Sequence, residues 1–192
     1  MAENGVRLLG IAGSLRREAF SKAVLRGVVD ALAGKAKIDV FDIAEIPLYN
    51  QDVEAEGAPE AVQRLREAIA AHDGVVIVSP EYNYGIPGVL KNALDWASRP
   101  YGKSAMNGKH VLVITSSPGV LGGARAQHQV RETLERMGAR PLVWPHVTIG
   151  SVSDKVRDGK LVDEKSLKFS VDAVEALLRE IRRDANEAVR AA

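Results

Sequence analysis

The chain of 192 residues contains no cysteine. Disulfides, cysteine-ligated zinc, iron–sulfur clusters and a cysteine nucleophile are therefore excluded together. An excess of charge of one sign is also missing, since 26 Lys and Arg side chains stand against 25 Asp and Glu side chains. This balance argues against a protein that binds nucleic acid by neutralising its phosphates. Any redox chemistry would have to be carried by a bound cofactor, because the chain has no thiols.

Long hydrophobic runs are lacking as well. The longest apolar stretches, such as Val75–Val78, fall far short of the ~20 residues that a membrane helix needs. Near the start of the chain, basic side chains follow a short apolar run, which reverses the order found in a signal peptide. We therefore expect a cytoplasmic protein with no membrane insertion. The length predicts a single domain over residues 1–192.

Strand and helix patterns alternate along the chain. Short apolar, β-branched runs predict strands at 6–12, 37–43, 74–79, 110–115 and 141–149. Such near-continuous runs are typical of parallel strands buried on both faces. Apolar residues at helical spacing follow the runs, and this alternation predicts right-handed crossovers. We expect an α/β, flavodoxin-like fold, with a doubly wound five-stranded parallel sheet and helices on both faces.

The remaining segments are predicted to be loops or a helix end. A loop containing Pro47 and Pro59 is expected between the second strand and the second helix. A polar loop is expected after the fifth strand. The last helix carries an apolar stripe from Leu167 to Ile181, and residues 184–192 beyond it are expected to fray or to contact a partner subunit.

The loop after the first strand has the properties of an anion site. It leads into a helix whose N-terminus offers unpaired N–H groups and the positive end of a dipole. Ser14 and Ser21 add hydroxyl groups, and Arg16 adds a guanidinium that can bind phosphate oxygens through two bonds. The alternative is an ordinary capped helix beside an exposed arginine pair. The motifs of P-loop NTPases, dinucleotide-binding Rossmann sites and α/β-hydrolases are absent from the sequence.

Two further loops point to a flat ligand. The loop at 79–88 places two tyrosines and an amide between two prolines, a rigid surface that suits stacking and hydrogen bonding of a heteroaromatic ring. The alternative is tight turn chemistry with the tyrosines as packing residues. The loop at 116–125 is rich in glycine, which lets backbone approach a ligand closely. Because the carboxyl ends of parallel strands meet at one edge of the sheet, we expect the three loops to form one site.

These segments resemble the NADPH-dependent FMN reductase family. The resemblance rests on GSLRREAFS at 13–21, SPEYNYGIPGVLKNALDWASRP at 79–100 and TSSPGVLGGARAQ at 115–127. The middle segment is the most specific, since its length makes coincidence remote. The branch that the chain resembles most is that of the bacterial chromate and quinone reductases.

The resemblance implies non-covalent FMN as cofactor and NADPH or NADH as co-substrate. It implies hydride transfer from NAD(P)H to FMN, followed by ping-pong transfer to small-molecule electron acceptors: quinones, flavins, azo compounds, nitroaromatics or chromate. The residues implied around the FMN phosphate are Ser14, Leu15, Arg16, Arg17 and Ser21. Those implied along the ring and ribityl chain are Pro80, Glu81, Tyr82, Asn83 and Tyr84, with Ser117 and Gly119 at the other ring edge.

No catalytic acid or base and no metal site is assigned. The flavin would carry the chemistry itself, and the protein would supply binding, orientation and electrostatics. The four histidines are scattered and show no metal-ligand spacing.

The family pattern also implies a homodimer or homotetramer, with the site near a subunit interface. Apolar and aromatic residues around Trp96, Tyr101 and Trp144 fit such an interface. Two positions depart from the family pattern G-S-L-R-x-x-S-x-N, because Ala19 stands at its serine and Ser21 at its asparagine. A hydrogen bond to a charged group contributes about 1.5–3 kcal/mol, so we expect weaker FMN binding.

Two other functions fit the same loops. A flavodoxin-type electron carrier would bind FMN and pass single electrons to a protein partner. Such carriers usually resemble shorter, acidic chains, whereas this chain is nearly neutral. A non-redox protein would bind a phosphorylated nucleotide or act as a regulator. Reduction of a bound flavin by NAD(P)H separates these two functions from a reductase.

Overall fold

The computed structural model describes residues 5–191. Its strands are β1 (Arg7–Ala12), β2 (Lys37–Phe41), β3 (Gly74–Pro80), β4 (His110–Ser116), β5 (Arg140–Pro141), β6 (Val147–Ile149), β7 (Val156–Arg157) and β8 (Lys160–Leu161). Its helices are α1 (Phe20–Ala31), α2 (Gln51–Glu56), α3 (Glu60–Ala71), α4 (Gly88–Ala97), α5 (Ala124–Arg136) and α6 (Glu164–Ala191), with a single 3-10 turn at Val152–Asp154. None of the helices in this part of the chain is long and apolar enough to cross a membrane.

The central sheet is parallel and has the strand order β2-β1-β3-β4-β5, with β6 also beside β4. The chain leaves β1 for β2 at one edge and then crosses back over β1 to reach β3. The strand order therefore reverses between β1 and β3. In a doubly wound sheet this reversal opens a crevice at the carboxyl ends of the two strands. The predicted flavodoxin-like, doubly wound topology is confirmed.

Strand β3 lies at the centre of both apolar layers. Successive side chains of a strand point to opposite faces of the sheet. Val76 and Val78 pack into the layer that includes α1 and α6, whereas Val75 and Ile77 pack into the layer that includes α3, α4 and α5. All four side chains are 0% exposed. Burial of each contributes about 1.5–3 kcal/mol, so β3 anchors the helices on both faces.

The fifth strand is interrupted, and its prediction as one strand over 141–149 is wrong. Within 141–149 and the residue before it, only the short strands β5 and β6 pair with β4, at opposite ends of that strand. Leu142 still donates its N–H to Val111 O, at 2.8 Å. Val143 then turns outward and is 93% exposed, and Pro145 has no N–H with which to continue the ladder.

Two elements lie in segments predicted to be loops. Helix α2 falls between Pro47 and Pro59, and the Asn50 side chain caps it by accepting the N–H of Asp52 at 2.9 Å. Strands β7 and β8 form an antiparallel hairpin around Asp158 and Gly159. Both turn residues have positive φ, 49° and 70°, as a two-residue type I′ turn requires. The Asp-Gly pair was the available sequence signal for this hairpin.

The last helix continues beyond residue 184. Helix α6 continues to Ala191, and the Asp184 carboxylate accepts hydrogen bonds from His110 Nε2, at 3.1 Å, and from Arg140 Nη1. These contacts attach the second half of α6 to the start of β4 and to β5. Contact of this helix with a partner subunit remains a prediction.

Acid sensitivity should centre on Asp39 of β2. Its carboxylate accepts hydrogen bonds from His72 Nε2 at 3.0 Å and from Arg7 Nη2 at 3.1 Å. These two bonds lower the pKa of Asp39 from 3.8 to about 2, and the bond from His72 has the larger effect. A depressed pKa contributes stability above the unfolded value of 3.8, and this stability is lost as the pH falls towards 2.

We therefore expect Asp39→Asn to lose about 1 kcal/mol of stability at pH 7, after allowance for solvent screening. Between pH 4 and about pH 2, the free energy of unfolding should fall less in the variant than in the parent. Urea unfolding over this range measures the effect. Asp172→Asn, which removes an exposed i,i+4 pair with Lys168, is the control and should change stability little. Equal pH dependence in Asp39→Asn and the parent would contradict the assignment.

Candidate functional site

Three loops meet at the carboxyl ends of β1, β3 and β4. Gly13 donates its N–H to Val78 O at 2.8 Å, which joins the first loop to β3. The hydroxyl groups of Ser14 and Tyr82 lie 3.3 Å apart and link the first loop to the second. A Cβ added at Gly123 would lie 3.4 Å from Cβ of Glu81, so the third loop touches the second as well. The predicted convergence of the loops is therefore confirmed.

The first loop leaves the N-terminus of α1 uncapped. Ala19 is the N-cap residue and makes no side-chain hydrogen bond. A serine or asparagine at this position would accept one of the first-turn N–H groups. The departure from the family pattern at Ala19 thus removes a side-chain hydroxyl but leaves the backbone donors of the first turn without a competing acceptor.

Ser21 is a buried hydroxyl without a partner. The side chain is 0% exposed, and its Oγ forms no hydrogen bond with the described residues. Ser14 is also buried, and its Oγ accepts the N–H of Arg16 at 3.3 Å. A buried polar group that lacks a partner costs about 1–3 kcal/mol. Such a cost is expected at a position where a ligand supplies the missing bond.

The charges around this loop favour an anionic group. Arg16 and Arg17 are exposed, and neither forms an ion pair within residues 5–191. The positive end of the α1 dipole points to the same place. Two free guanidinium groups, an uncapped helix and an unpartnered hydroxyl together fit a phosphate group.

The second loop is a tight turn that presents aromatic side chains. Tyr82 and Gly85 exchange two backbone hydrogen bonds, of 3.1 and 2.9 Å. Between them Asn83 and Tyr84 have φ values of 49° and 61°, the left-handed conformation that costs about 1–2 kcal/mol for a residue with a side chain. Tyr82 is 46% exposed and Tyr84 is 69% exposed. This arrangement offers π-faces and an amide to a flat ligand.

The third loop depends on glycine and carries an apolar rim. Gly122 and Gly123 have φ values of 62° and 85°, and a Cβ at Gly122 would lie 2.7 Å from the backbone N of Ile149. Only glycine tolerates both the conformation and the approach. Val120 and Leu121, beside Gly119 in this loop, are 84% and 57% exposed.

Ser117 lies where the third loop begins. Its Oγ accepts the N–H of Gly119 at 3.1 Å, and its backbone is bonded to Ile149 and Val152. Thr115 and Ser116, the last residues of β4, are buried and their hydroxyl groups have no partner in the described part of the chain.

Glu81 is oriented differently from the rest of its loop. Its Oε2 accepts the N–H groups of Arg125 and Ala126, both at 2.9 Å. The carboxylate that the family pattern implied along the ring is therefore directed to the N-terminus of α5. Its backbone still lies between Pro80 and Tyr82.

Sequence reasoning missed two contacts from α5. The Arg125 guanidinium lies over the Tyr84 ring, 4.1 Å from its centroid. Gln129 Oε1 accepts the N–H of Ile86 at 2.9 Å. Arg125 closes the glycine-rich segment in the sequence, but its position along the chain does not indicate which aromatic ring it covers.

The fold and this site define a class of protein. A doubly wound sheet with an anion-binding loop after β1 and an aromatic turn after β3, at the point where the strand order reverses, is the arrangement of flavodoxin-like proteins. The family model described as NADPH-dependent FMN reductase matches residues 6–154, and the chain belongs to this family.

Relatives of known name agree with this assignment. An NAD(P)H-dependent FMN reductase of Pseudomonas aeruginosa is 41% identical over 179 residues, 93% of this chain and 96% of that protein. A quinone reductase of Escherichia coli K12 is 40% identical over 166 residues, 84% of this chain and 88% of that protein. The solved structure of FerB, a flavoenzyme NAD(P)H:(acceptor) oxidoreductase from Paracoccus denitrificans, has a TM-score of 0.83 and 34% identity. The superposition with FerB covers 93% of this chain and 98% of the FerB chain.

These comparisons confirm the predicted class of activity. The chain is an NAD(P)H-dependent flavin oxidoreductase, with FMN as cofactor and NAD(P)H as co-substrate. They favour a reductase over the electron carrier and the non-redox nucleotide binder that the loops alone left open.

Ser21→Ala separates stability from ligand binding. The substitution removes a buried hydroxyl without a partner and places a better helix former in α1, so the free energy of unfolding should rise by about 1 kcal/mol. The melting temperature of the FMN-free protein should then rise by about 2–4 °C. Its affinity for FMN, measured by flavin fluorescence, should fall about tenfold, because a bond to the charged phosphate is lost.

Arg16→Ala provides the contrasting variant. Arg16 is exposed, so its removal should leave the melting temperature unchanged while FMN affinity also falls about tenfold. Arg26→Ala, an exposed arginine two turns into α1, is the matched control and should change neither property. A less stable Ser21→Ala variant would show that the hydroxyl already has a partner in the folded chain.

Proposed function

We propose that the chain catalyses electron transfer from NAD(P)H to quinones at an FMN held by the three loops. The observation that supports it most directly is the unpartnered Ser21 hydroxyl at the uncapped start of α1, on the same sheet edge as the aromatic turn. The quinone acceptor is proposed from the names of relatives in Escherichia coli and Pseudomonas putida, both quinone reductases.

Each loop has a separate role in holding FMN. Ser14, Leu15, Arg16, Arg17 and Ser21 would surround the phosphate. Pro80, the Glu81 backbone, Tyr82, Asn83 and Tyr84 would line the ring and ribityl chain, and Ser117 and Gly119 would close the other ring edge. When bound, FMN supplies a ring that accepts a hydride from NAD(P)H and passes it to an acceptor.

The chain itself contributes binding and orientation. The guanidinium groups of Arg16 and Arg17 neutralise phosphate charge, with strong and directional bonds. The 3.3 Å contact between Ser14 and Tyr82 couples the phosphate loop to the ring loop. We assign no acid or base within the chain: hydride transfer needs the donor aligned with the acceptor, and solvent water supplies the proton that completes reduction of the quinone to a hydroquinone.

The rim of the site suits apolar aromatic acceptors. Tyr82 and Tyr84 of the second loop and Val120 and Leu121 of the third loop are all exposed, although large apolar side chains are usually buried. Exposed apolar groups that cluster on a surface mark interaction sites. A flat quinone stacks on such a surface better than a compact inorganic anion does. Chromate is therefore proposed as a weaker acceptor than quinones, azo compounds and nitroaromatics.

Anaerobic absorbance spectra test the proposed function. The chain loaded with FMN should lose its oxidised flavin band on addition of NADPH and recover it on addition of a benzoquinone. Because donor and acceptor use one open face in turn, initial rates with both varied should give parallel double-reciprocal lines. Free FMN at the same concentration is the control. A flavin that NADPH leaves oxidised, but that a separate reductase protein reduces, would support the electron-carrier alternative instead.

We also propose that the chain forms a homodimer or homotetramer. The proposal is supported by Leu48, Tyr101 and Val143, which are 84%, 79% and 93% exposed. Trp96 itself is a core residue and does not contribute to such a surface. Its side chain is 0% exposed, packs edge-on against Tyr49 and donates Nε1–H to Pro47 O at 2.8 Å. Trp144 is only partly exposed and packs against the α1 and α6 layer.

Light scattering tests the oligomeric state. The mass should be two or four times that of one chain, and Val143→Asp should lower it by placing a charge in an apolar contact. Lys168→Glu, a charge change on an exposed helix face, should leave the mass unchanged. A single-chain mass across the working range of concentrations would contradict the proposal.

A further inference from the structure

The N-terminus of α5 is capped by a residue from another loop. The N-cap residue of α5 is Gly123, which has φ of 85° and no side chain to accept a hydrogen bond. Glu81 acts as the cap instead, although it lies more than 40 residues earlier in the chain. Its Oε2 accepts the N–H groups of Arg125 and Ala126. A carboxylate is the preferred partner at this end of a helix.

Other contacts join the same two segments. Gln129 Oε1 accepts the N–H of Ile86, and the Arg125 guanidinium covers the Tyr84 ring. A Cβ at Gly85 would lie 2.9 Å from Gln129 Oε1, so a larger residue there would displace the amide. Helix α5 therefore contacts the turn before, within and after its two left-handed residues.

The turn needs this external support. Asparagine is favoured at the first central position of a type I′ turn, but glycine, not tyrosine, is favoured at the second. Tyr84 nevertheless has φ of 61° there. Two backbone bonds between Tyr82 and Gly85 close the turn, and its central side chains are exposed. Strained backbone of this kind persists where the surrounding structure over-determines it.

We propose that Glu81 is a positioning residue that acts through α5. Its carboxylate holds the first helical turn of α5 in place. The start of α5 then fixes the position of the β-turn Tyr82–Gly85 relative to the glycine-rich loop. The two loops that Glu81 joins are those expected to hold opposite edges of the flavin ring. The inference about the ring rests on the proposed function, whereas the coupling of the two loops does not.

The test compares two substitutions at Glu81 with a matched helix cap elsewhere. Glu81→Ala removes both acceptor bonds, and Glu81→Gln retains an acceptor oxygen without the charge. Asp163→Ala is the control, since Asp163 Oδ1 accepts the N–H of Ser166 at 2.9 Å in the first turn of α6. Loss of either cap should lower the urea midpoint of unfolding by a similar amount.

The first readout is hydrogen exchange of the Tyr82 and Gly85 amides in the FMN-free chain. We expect exchange about tenfold faster in Glu81→Ala, because local opening of the turn becomes easier. Glu81→Gln and Asp163→Ala should stay close to the parent. Unchanged exchange in Glu81→Ala would overturn the coupling, whether or not the chain binds FMN.

The second readout is the bound flavin itself. Glu81→Ala should weaken FMN binding several-fold and shift its visible absorbance, while Glu81→Gln should restore both and Asp163→Ala should alter neither. Faster exchange with an unchanged flavin spectrum and affinity would overturn the positioning of the ring. A kcat that falls equally in Glu81→Ala and Glu81→Gln, with a changed pH profile, would also overturn it, because the carboxylate would then act directly. Failure of the parent chain to bind FMN would instead contradict the proposed function.

Discussion

The pairing of β3 with β1 on one side and β4 on the other sets the position of everything at the site. β3 is buried on both faces, and its parallel register with its neighbours brings three loops to the same edge. The strand begins at Gly74, where a Cβ would lie 2.7 Å from the Ile181 side chain of α6 and 3.0 Å from His110 O. Close packing at the amino end of β3 thus fixes the position of the strand along its axis. This in turn fixes where Pro80 and Glu81 lie at its carboxyl end.

At the carboxyl edge of the sheet, buried polar side chains replace the apolar ones of the centre. Ser14, Ser21, Thr115 and Ser116 are all buried there, and three of these hydroxyl groups have no partner among residues 5–191. Protein interiors seldom leave polar groups in this condition, and exceptions are concentrated at functional sites. Stability is given up at this edge so that hydrogen-bonding groups are available to a ligand.

In this oxidoreductase the FMN cofactor carries the chemistry, and the chain binds and orients it. A left-handed turn, a glycine-rich loop and an uncapped helix are each unfavourable taken alone. Contacts among the three loops offset part of this cost, whereas the start of α1 stays uncapped. Ser14 reaches Tyr82, Glu81 caps α5, and Arg125 covers Tyr84. Because each contact crosses from one loop to another, a change in one loop is expected to reach the others.

Local pattern in the sequence was enough to predict the strand–helix alternation, the parallel sheet and the three loops that converge. Runs such as Val75–Val78 and apolar residues at helical spacing report burial directly, because burial repeats with the period of each element. The motif at 79–100 further indicated the family. The Asp158–Gly159 pair is likewise a sequence signal for a two-residue hairpin turn.

Only the tertiary structure decided which side chains meet. It divided the predicted fifth strand at Val143, buried Trp96 against Tyr49, and turned the Glu81 carboxylate towards α5. Each of these outcomes depends on residues far apart in the chain. Periodicity along a sequence reports which face of an element is buried, whereas the partner on that face is chosen by packing and hydrogen-bond geometry in three dimensions.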